Sequence, residues 1–153
     1  MILEIGCSNS PLNNLSRVHF ASNVGHADVS IDIQKPHAKY KIPNLILADA
    51  QHLPFQNDVF THAFCSHVIE HVDDPFKMLK EAMRVASHIK IICPHRYSAN
   101  AKKNGVHISF FNSKWFQKAF DTLGGTMYTV TTTLGLFSRP DEIIAEAHKI
   151  SSQ

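Results

Sequence analysis

The sequence predicts an α/β fold, an open and mostly parallel sheet with helices packed on it. Three observations carry that prediction. Short apolar runs such as Met1–Ile5 stop abruptly at glycine, an acid or small polar residues, as strands buried on both faces do. Helix-start signals follow two of these stops, Ser10-Pro11 and Asp73-Asp74-Pro75. The stretch from Leu47 to Val85, LADAQHLPFQNDVFTHAFCSHVIEHVDDPFKMLKEAMRV, sets a strand ending on Asp49 beside another ending on Ser66-His67. Open α/β sheets present ligand sites at such carboxyl ends.

The bulk numbers are consistent with this. At 153 residues the chain reads as a single domain, residues 1–153, long enough to bury roughly two-thirds of its unfolded surface. A hydrophobic content of 44% and a charged content of 18% describe a globular rather than a disordered chain. The net charge of +2, with no run of Lys or Arg, gives nucleic acid no basic stripe to follow. Eleven histidines add positive charge in acid. No apolar run approaches the ~18 residues of a membrane span, and no basic region precedes the first apolar residues as in a signal peptide. The three cysteines, Cys7, Cys65 and Cys93, form no CxxC pair. They read as reduced thiols, and the chain as cytoplasmic.

Taken in order, Met1–Ile5 is the first strand and Gly6–Ser10 a small-residue loop in which backbone N–H groups can approach a ligand. Leu12, Leu15 and Val18 space a short helix among indifferent helix formers. Asp28–Ile33 alternates as the second strand, with Asp32 near its carboxyl end and 26 residues beyond Gly6, close to the spacing at which an acid meets ribose hydroxyls. Gln34–Pro43 holds two prolines and no apolar period, so no helix is expected there. Asn44–Ala48 is the third strand, and Leu53-Pro54-Phe55 a turn-rich connection. Phe60–Cys65 is the fourth strand, and Pro75–Ala86 a helix with Asp73 and Asp74 complementing its N-terminal dipole. His88–Pro94 is the fifth strand, stopped by proline. Pro94–Val106 is a polar loop, expected to be mobile over the substrate side. Asn112 or Ser113 caps a helix that puts Trp115, Phe116, Ala119, Phe120 and Leu123 on one face and ends at Gly124-Gly125. Met127–Thr133 is rich in β-branched residues. Glu142–Ile150 alternates, but by propensity it also suits a helix.

The pattern DAxxLPFxxxxFxxxxxxxxxEHVxxPxxxLxEAxRV, running from Asp49 to Val85, resembles the cofactor half of class I S-adenosylmethionine-dependent methyltransferases, the type 11 group in particular. The resemblance covers nearly the whole chain and is weakest from Pro11 to Pro43. It implies a Rossmann-like three-layer sandwich whose seven-stranded, mostly parallel sheet has the order 3-2-1-4-5-7-6. It also tips Glu142–Ile150 to a strand, closing a C-terminal antiparallel hairpin. The family's glycine motif, (D/E)xGxGxG, is matched by Glu4 and Gly6, while Ser8 and Ser10 stand at its other two glycines. Serine admits positive φ less readily and takes up room beside a ligand. The helix that the family places before the first strand, over the cofactor, has no counterpart, since the chain begins on the strand.

By this resemblance the cofactor is S-adenosylmethionine. Glu4, Gly6, Cys7 and Ser8 cradle its methionine part, with Glu4 reaching the amine through water. Asp32 takes the ribose and Ile33 the adenine face. Asp49 and the backbone N–H of Ala50 read the donor and acceptor edges of adenine. Ser66 meets the amino group of the cofactor or the substrate. Methyl transfer is an in-line displacement, and a general base is needed only where the acceptor loses a proton. His71 and His107 are the expected catalytic residues. His67, Glu70 and His95 are further candidates, and Glu70-His71 also suits a supporting role at the strand-to-helix junction.

Rival readings are weaker. His67-Val68-Ile69-Glu70-His71 spells HxxEH, a zinc-peptidase pattern that needs one sustained helix and a third ligand such as Glu142 or Glu146. Asp73-Asp74-Pro75 leaves no room for that helix. A thiol cluster at the strand ends is a second metal reading, against small residues packed under the cofactor. No metal is expected. GxGxxG is absent, and Tyr97 to Lys102 is one residue too long for the YxxxK of a dehydrogenase. The expected function is methyl transfer to a small or surface-borne acceptor. The alternative is a cofactor-binding or partner-binding protein that does not catalyse. In either case a second copy or a partner chain is expected to cover the open cofactor site.

Overall fold

The computed structural model describes residues 1–7, 27–35, 42, 44–99, 101, 107–124, 126–135 and 140–150. The expected helix after Pro11, Ser8 and Ser10 of the glycine motif, Lys102, and most of the segments Gln34–Pro43 and Pro94–Val106 beyond Ser98-Ala99 fall outside these residues.

Seven strands form one sheet: β1 (Ile2–Ile5), β2 (Val29–Asp32), β3 (Leu45–Leu47), β4 (Phe60–Ser66), β5 (Ala86–Pro94), β6 (Thr126–Leu134) and β7 (Pro140–Lys149). Their order, β3-β2-β1-β4-β5-β7-β6, is the expected one. β1 to β5 pair in parallel, and β7 runs antiparallel to both β5 and β6. Among the described residues two α-helices, α1 (Pro75–Val85) and α2 (Ser113–Leu123), alternate with the strands.

Each helix begins where its sequence signal stands. Asp74 accepts from the N–H of Lys77 at 2.9 Å with Pro75 at the first helical position, and Asn112 accepts from that of Trp115 at 3.0 Å. Both helices bury apolar stripes, Met78, Leu79, Ala82 and Met83 from α1, and Phe116, Ala119 and Phe120 from α2. They join one core with Leu3, Ile5, Ala63, Cys65, Ile89, Ile91, Cys93, Ile143, Ala145 and Ala147 of the sheet. Phe64 and Ile92 make a smaller cluster with Ala27 and Ile144.

Boundaries differ in informative ways. β5 starts at Ala86 rather than His88, straight out of α1. Ala86 is extended (φ −129°, ψ 149°) while its N–H still donates to the carbonyl of Ala82, so the helix cap is also the first strand residue. β4 runs on through Ser66, which puts that polar residue inside the sheet. Glu142 to Lys149 is strand despite its helix propensity, because β7 is paired on both sides and its alternation buries Ile143, Ala145 and Ala147.

Candidate active site

The parallel strands end in a row. Ile5 sits opposite Ile31 on one side and Cys65 on the other. Continuing this register by one residue sets Gly6 between Asp32 and Ser66, while Asp32 pairs with Leu47, two residues before Asp49. Gly6 adopts φ +80°, and its N–H donates to the carbonyl of Ile31 at 2.9 Å. A Cβ there would lie 2.0 Å from Cγ2 of Val68, so the loop after β1 and the turn after β4 can touch only because this residue is glycine. Glu4 is wholly buried and accepts from the Ser30 hydroxyl at 3.3 Å. Cys7 is buried, and its N–H also points to Ile31, at 3.3 Å.

Asp32 accepts the Gln34 N–H at 2.9 Å, and Ile33 beside it is 71% exposed, an apolar surface open to a flat ring. Asp49 accepts from the Gln51 N–H at 2.8 Å, from the Gln51 amide at 3.2 Å, and lies 3.3 Å from His52 Nδ1. Burial pushes its carboxyl up, but these hydrogen bonds outweigh burial and hold it below the usual carboxylate range. Ala50 and Ser66 are buried. Of the expected cofactor residues, only Ser8 lies outside the described chain; the others line the carboxyl edge of β1, β2, β3 and β4.

The loop carrying Asp49 is clamped from α1. The Arg84 guanidinium donates to the carbonyls of Leu53 at 2.9 Å and Phe55 at 2.7 Å and to Asn57 Oδ1 at 3.0 Å. It also pairs with Glu81 at 2.7 Å, and Glu81 in turn accepts the Leu53 N–H at 2.9 Å. Sequence reasoning missed this clamp, although LPF and EAxRV are its two halves.

Beyond β4 the structure brings histidines and acids together. His67, at φ +56°, lies between Glu142 at 3.0 Å and Glu70 at 3.4 Å. Hydrogen bonds to Glu142 and then to Glu70 outweigh burial and push its pKa up to about 9. It is therefore an imidazolium at neutral pH, which removes it from the candidate bases. Sequence spacing could not show that Glu142, on β7, arrives beside it. The expected support of the junction by Glu70 is made by its main chain, whose carbonyl accepts from Ile108 at 3.0 Å and Ser109 at 3.2 Å. Those bonds bring the segment of His107 against the turn, and the rings of His71 and His107 meet edge to face with centroids 4.8 Å apart. His107 Nδ1 lies 3.2 Å from the carbonyl oxygen of Ala101, so in the neutral ring Nδ1 carries the proton and Nε2 the lone pair.

His95 is part of the following loop instead: it is buried, its Nδ1 accepts the Tyr97 N–H at 3.3 Å, and burial followed by Arg96 lowers its pKa. The HxxEH pattern forms no sustained helix, only a 3₁₀ turn over Ile69–His71. Glu146 pairs with Lys90. All three cysteines are buried, and burial pushes the Cys93 thiol up, which suits packing rather than metal ligation. A groove of about 450 Å³ lies away from this edge, over the early parts of β4 and β5, lined by His62, Phe64, His88, Lys90, Glu146 and His148 among others.

Residues 3–89 match a family described as a methyltransferase domain. No curated protein matches the chain in sequence. Among solved structures, the plantazolicin methyltransferase BpumL, crystallised with S-adenosylhomocysteine (SAH), is 16% identical; the match covers 97% of this chain and 76% of that one at a TM-score of 0.68. An S-adenosylmethionine-dependent methyltransferase from Thermotoga maritima is 18% identical over 97% and 81% of the two chains, with a TM-score of 0.66. A chain of the complex between the Haloferax volcanii Trm112 methyltransferase activator and a methyltransferase is 12% identical over 97% and 81%, with a TM-score of 0.69. At these identities the likeness is one of fold.

Proposed function

The chain belongs to the class I S-adenosylmethionine-dependent methyltransferases, and from that premise we propose that it binds S-adenosylmethionine and transfers the methyl group to an acceptor that enters beside β4 and β5. The observation that carries the reading is the row of Glu4, Gly6, Asp32, Asp49 and Ser66 along one sheet edge, with Asp49 ionised and its loop clamped. In this reading Glu4, Gly6, Cys7 and Ser8 hold the methionine part and Asp32 the ribose. Ile33 lies against the adenine ring, whose edge is read by Asp49 and the N–H of Ala50, and Ser66 meets an amino group. His71 and His107 serve the proton that a hydroxyl or amine acceptor gives up.

Residues 1–153 are read as one domain working in a reducing cytoplasm, in keeping with three buried cysteines. A partner or a second copy closing over the cofactor edge fits an exposed Ile33, and the activator complex of the Haloferax relative is a precedent for a partner.

Calorimetric titration with SAH tests the reading. Wild type is expected to bind in the micromolar range, and folded Asp49→Ala to bind at least tenfold more weakly, about 1.4 kcal/mol. Absence of wild-type binding at millimolar ligand would overturn the independent cofactor site.

A further inference from the structure

The cluster of Glu70, His71 and His107 supports a further step, which rests on the reading of the acceptor side given above. One donor atom from each of these residues lies within 4.8 Å of the other two. Glu70 is 1% exposed, and among the described residues its Oε2 has no hydrogen-bond partner while Oε1 has only the long contact with His67 at 3.4 Å. Burying a carboxylate in that state is costly unless a cation stands against it. Its ionic neighbour His67, 3.4 Å away, is shared with Glu142 at 3.0 Å, so one imidazole faces two carboxylates. The tautomer of His107, with Nδ1 turned to the Ala101 carbonyl, leaves the lone pair on Nε2, and ligating histidines commonly hold their other ring nitrogen to a carbonyl in this way.

We propose that Glu70, His71 and His107 bind a single divalent first-row metal ion whose open positions take a hydroxyl of the methyl acceptor. Two imidazoles and one carboxylate suit such an ion, and three protein ligands leave coordination positions for substrate. Ligand atoms around a tetrahedral Zn²⁺ stand about 3.4 Å apart given bonds of about 2.1 Å. The cluster must therefore contract by up to about 1.4 Å, which rotation of the exposed His71 ring and the half-buried His107 ring can supply.

The chemistry balances without a further reactant. The ion lowers the pKa of the bound hydroxyl, whose proton leaves to solvent water. The oxygen attacks the methyl carbon of the sulfonium; the new C–O bond forms as the C–S bond breaks, and that bond's electron pair stays on sulfur as SAH. His71 and His107 then act on the acceptor's proton through the ion they hold, and the acceptor class is narrowed from any nucleophile to a hydroxyl.

The test uses the full chain stripped with a chelator and titrated with Zn²⁺ by calorimetry, with Mn²⁺ paramagnetic resonance as a second readout. Wild type is expected to take up one equivalent at micromolar affinity. Glu70→Gln and His107→Ala should each weaken uptake tenfold or more, and His88→Ala, in the separate His62–His88–His148 ladder, should not. His71→Ala, at an exposed position, replaces any variant whose circular dichroism shows it unfolded. No uptake by wild type at millimolar metal, uptake indifferent to these substitutions, or uptake lost in His88→Ala would each overturn the proposal. SAH titration of the same samples keeps the two readings apart: cofactor binding without metal binding defeats the metal site alone, and the reverse defeats the cofactor edge alone.

Discussion

The half of the sheet proposed to bind the cofactor, here the binding half, and the half that carries most of the core, the stabilising half, are built differently. β1, β2 and β3 are four, four and three residues long. β4, β5, β6 and β7 run to seven, nine, nine and ten, with α1 and α2 packed over them. The binding half leaves Ile33 and Leu47 exposed and carries its acids in loops held by side-chain hydrogen bonds. The other half buries the aromatic cluster of Phe111, Trp115, Phe116 and Phe120. The difference teaches that cofactor affinity and fold stability should respond to different substitutions.

The largest expected effect is on stability. Phe116 is fully buried and touches Phe111, Trp115 and Phe120, so Phe116→Ala should cost about 3–5 kcal/mol of unfolding free energy, read by denaturant titration. Under conditions where the variant remains folded, its affinity for SAH should match that of wild type. A loss of affinity in the folded variant would break the division, because it would tie the cofactor edge to packing under α2.

Gly6→Ala comes next, and it probes the seam. Positive φ and the overlap with Val68 together predict a loss of about 2–4 kcal/mol, seen as a lower thermal midpoint, and SAH binding should fall with it. This is the one position where both halves are expected to fail at once, since the loop after β1 rests on the turn after β4. A variant that kept wild-type affinity would show that the methionine end of the cofactor does not lie against Gly6.

The same division explains what could be read in advance. The places of the strands and of α1 and α2 were legible because the breakers and caps are local: Gly6 ends β1, Asp74-Pro75 opens α1, and Asn112 opens α2; the strand order was legible only through the family resemblance. The 49–85 motif was legible for a physical reason that appears only in three dimensions. Arg84 donates to the carbonyls of Leu53 and Phe55 and Glu81 accepts the Leu53 N–H, so the motif residues are each other's partners. The Ala86 junction was not legible, because a residue that is both helix cap and strand start leaves no loop signal in the sequence. Nor was the contact of His67 with Glu142, which lies 75 residues away and depends on β7 running antiparallel beside β5. Periodicity could not decide between strand and helix for β7 either; two-sided pairing did.

The smallest expected effect sharpens the comparison with pH alone. His62 on β4, His88 on β5 and His148 on β7 stack across neighbouring strands, with ring centroids 4.9 and 5.3 Å apart, beside the Lys90–Glu146 pair. Burial, then the charge of His88, then the N-terminal ammonium hold the His62 pKa below its ordinary 6.5. A histidine depressed in the folded state binds fewer protons there than in the unfolded chain. Its contribution is therefore present above pH 6.5 and lost as pH falls through the folded value. His67, pushed up to about 9, works in the opposite sense, its contribution falling as pH rises above 6.5. The His62 contribution is therefore read as a difference: His88→Gln, which removes the repelling charge, should change the pH slope by raising the thermal midpoint relative to wild type more at pH 5.5 than at pH 7.5. SAH affinity of the folded protein should stay level over the same range, because Asp49 remains ionised well below it. An unchanged slope in His88→Gln would place the acid sensitivity elsewhere. A fall in affinity that tracked the midpoint would show that the stabilising half also shapes the cofactor edge.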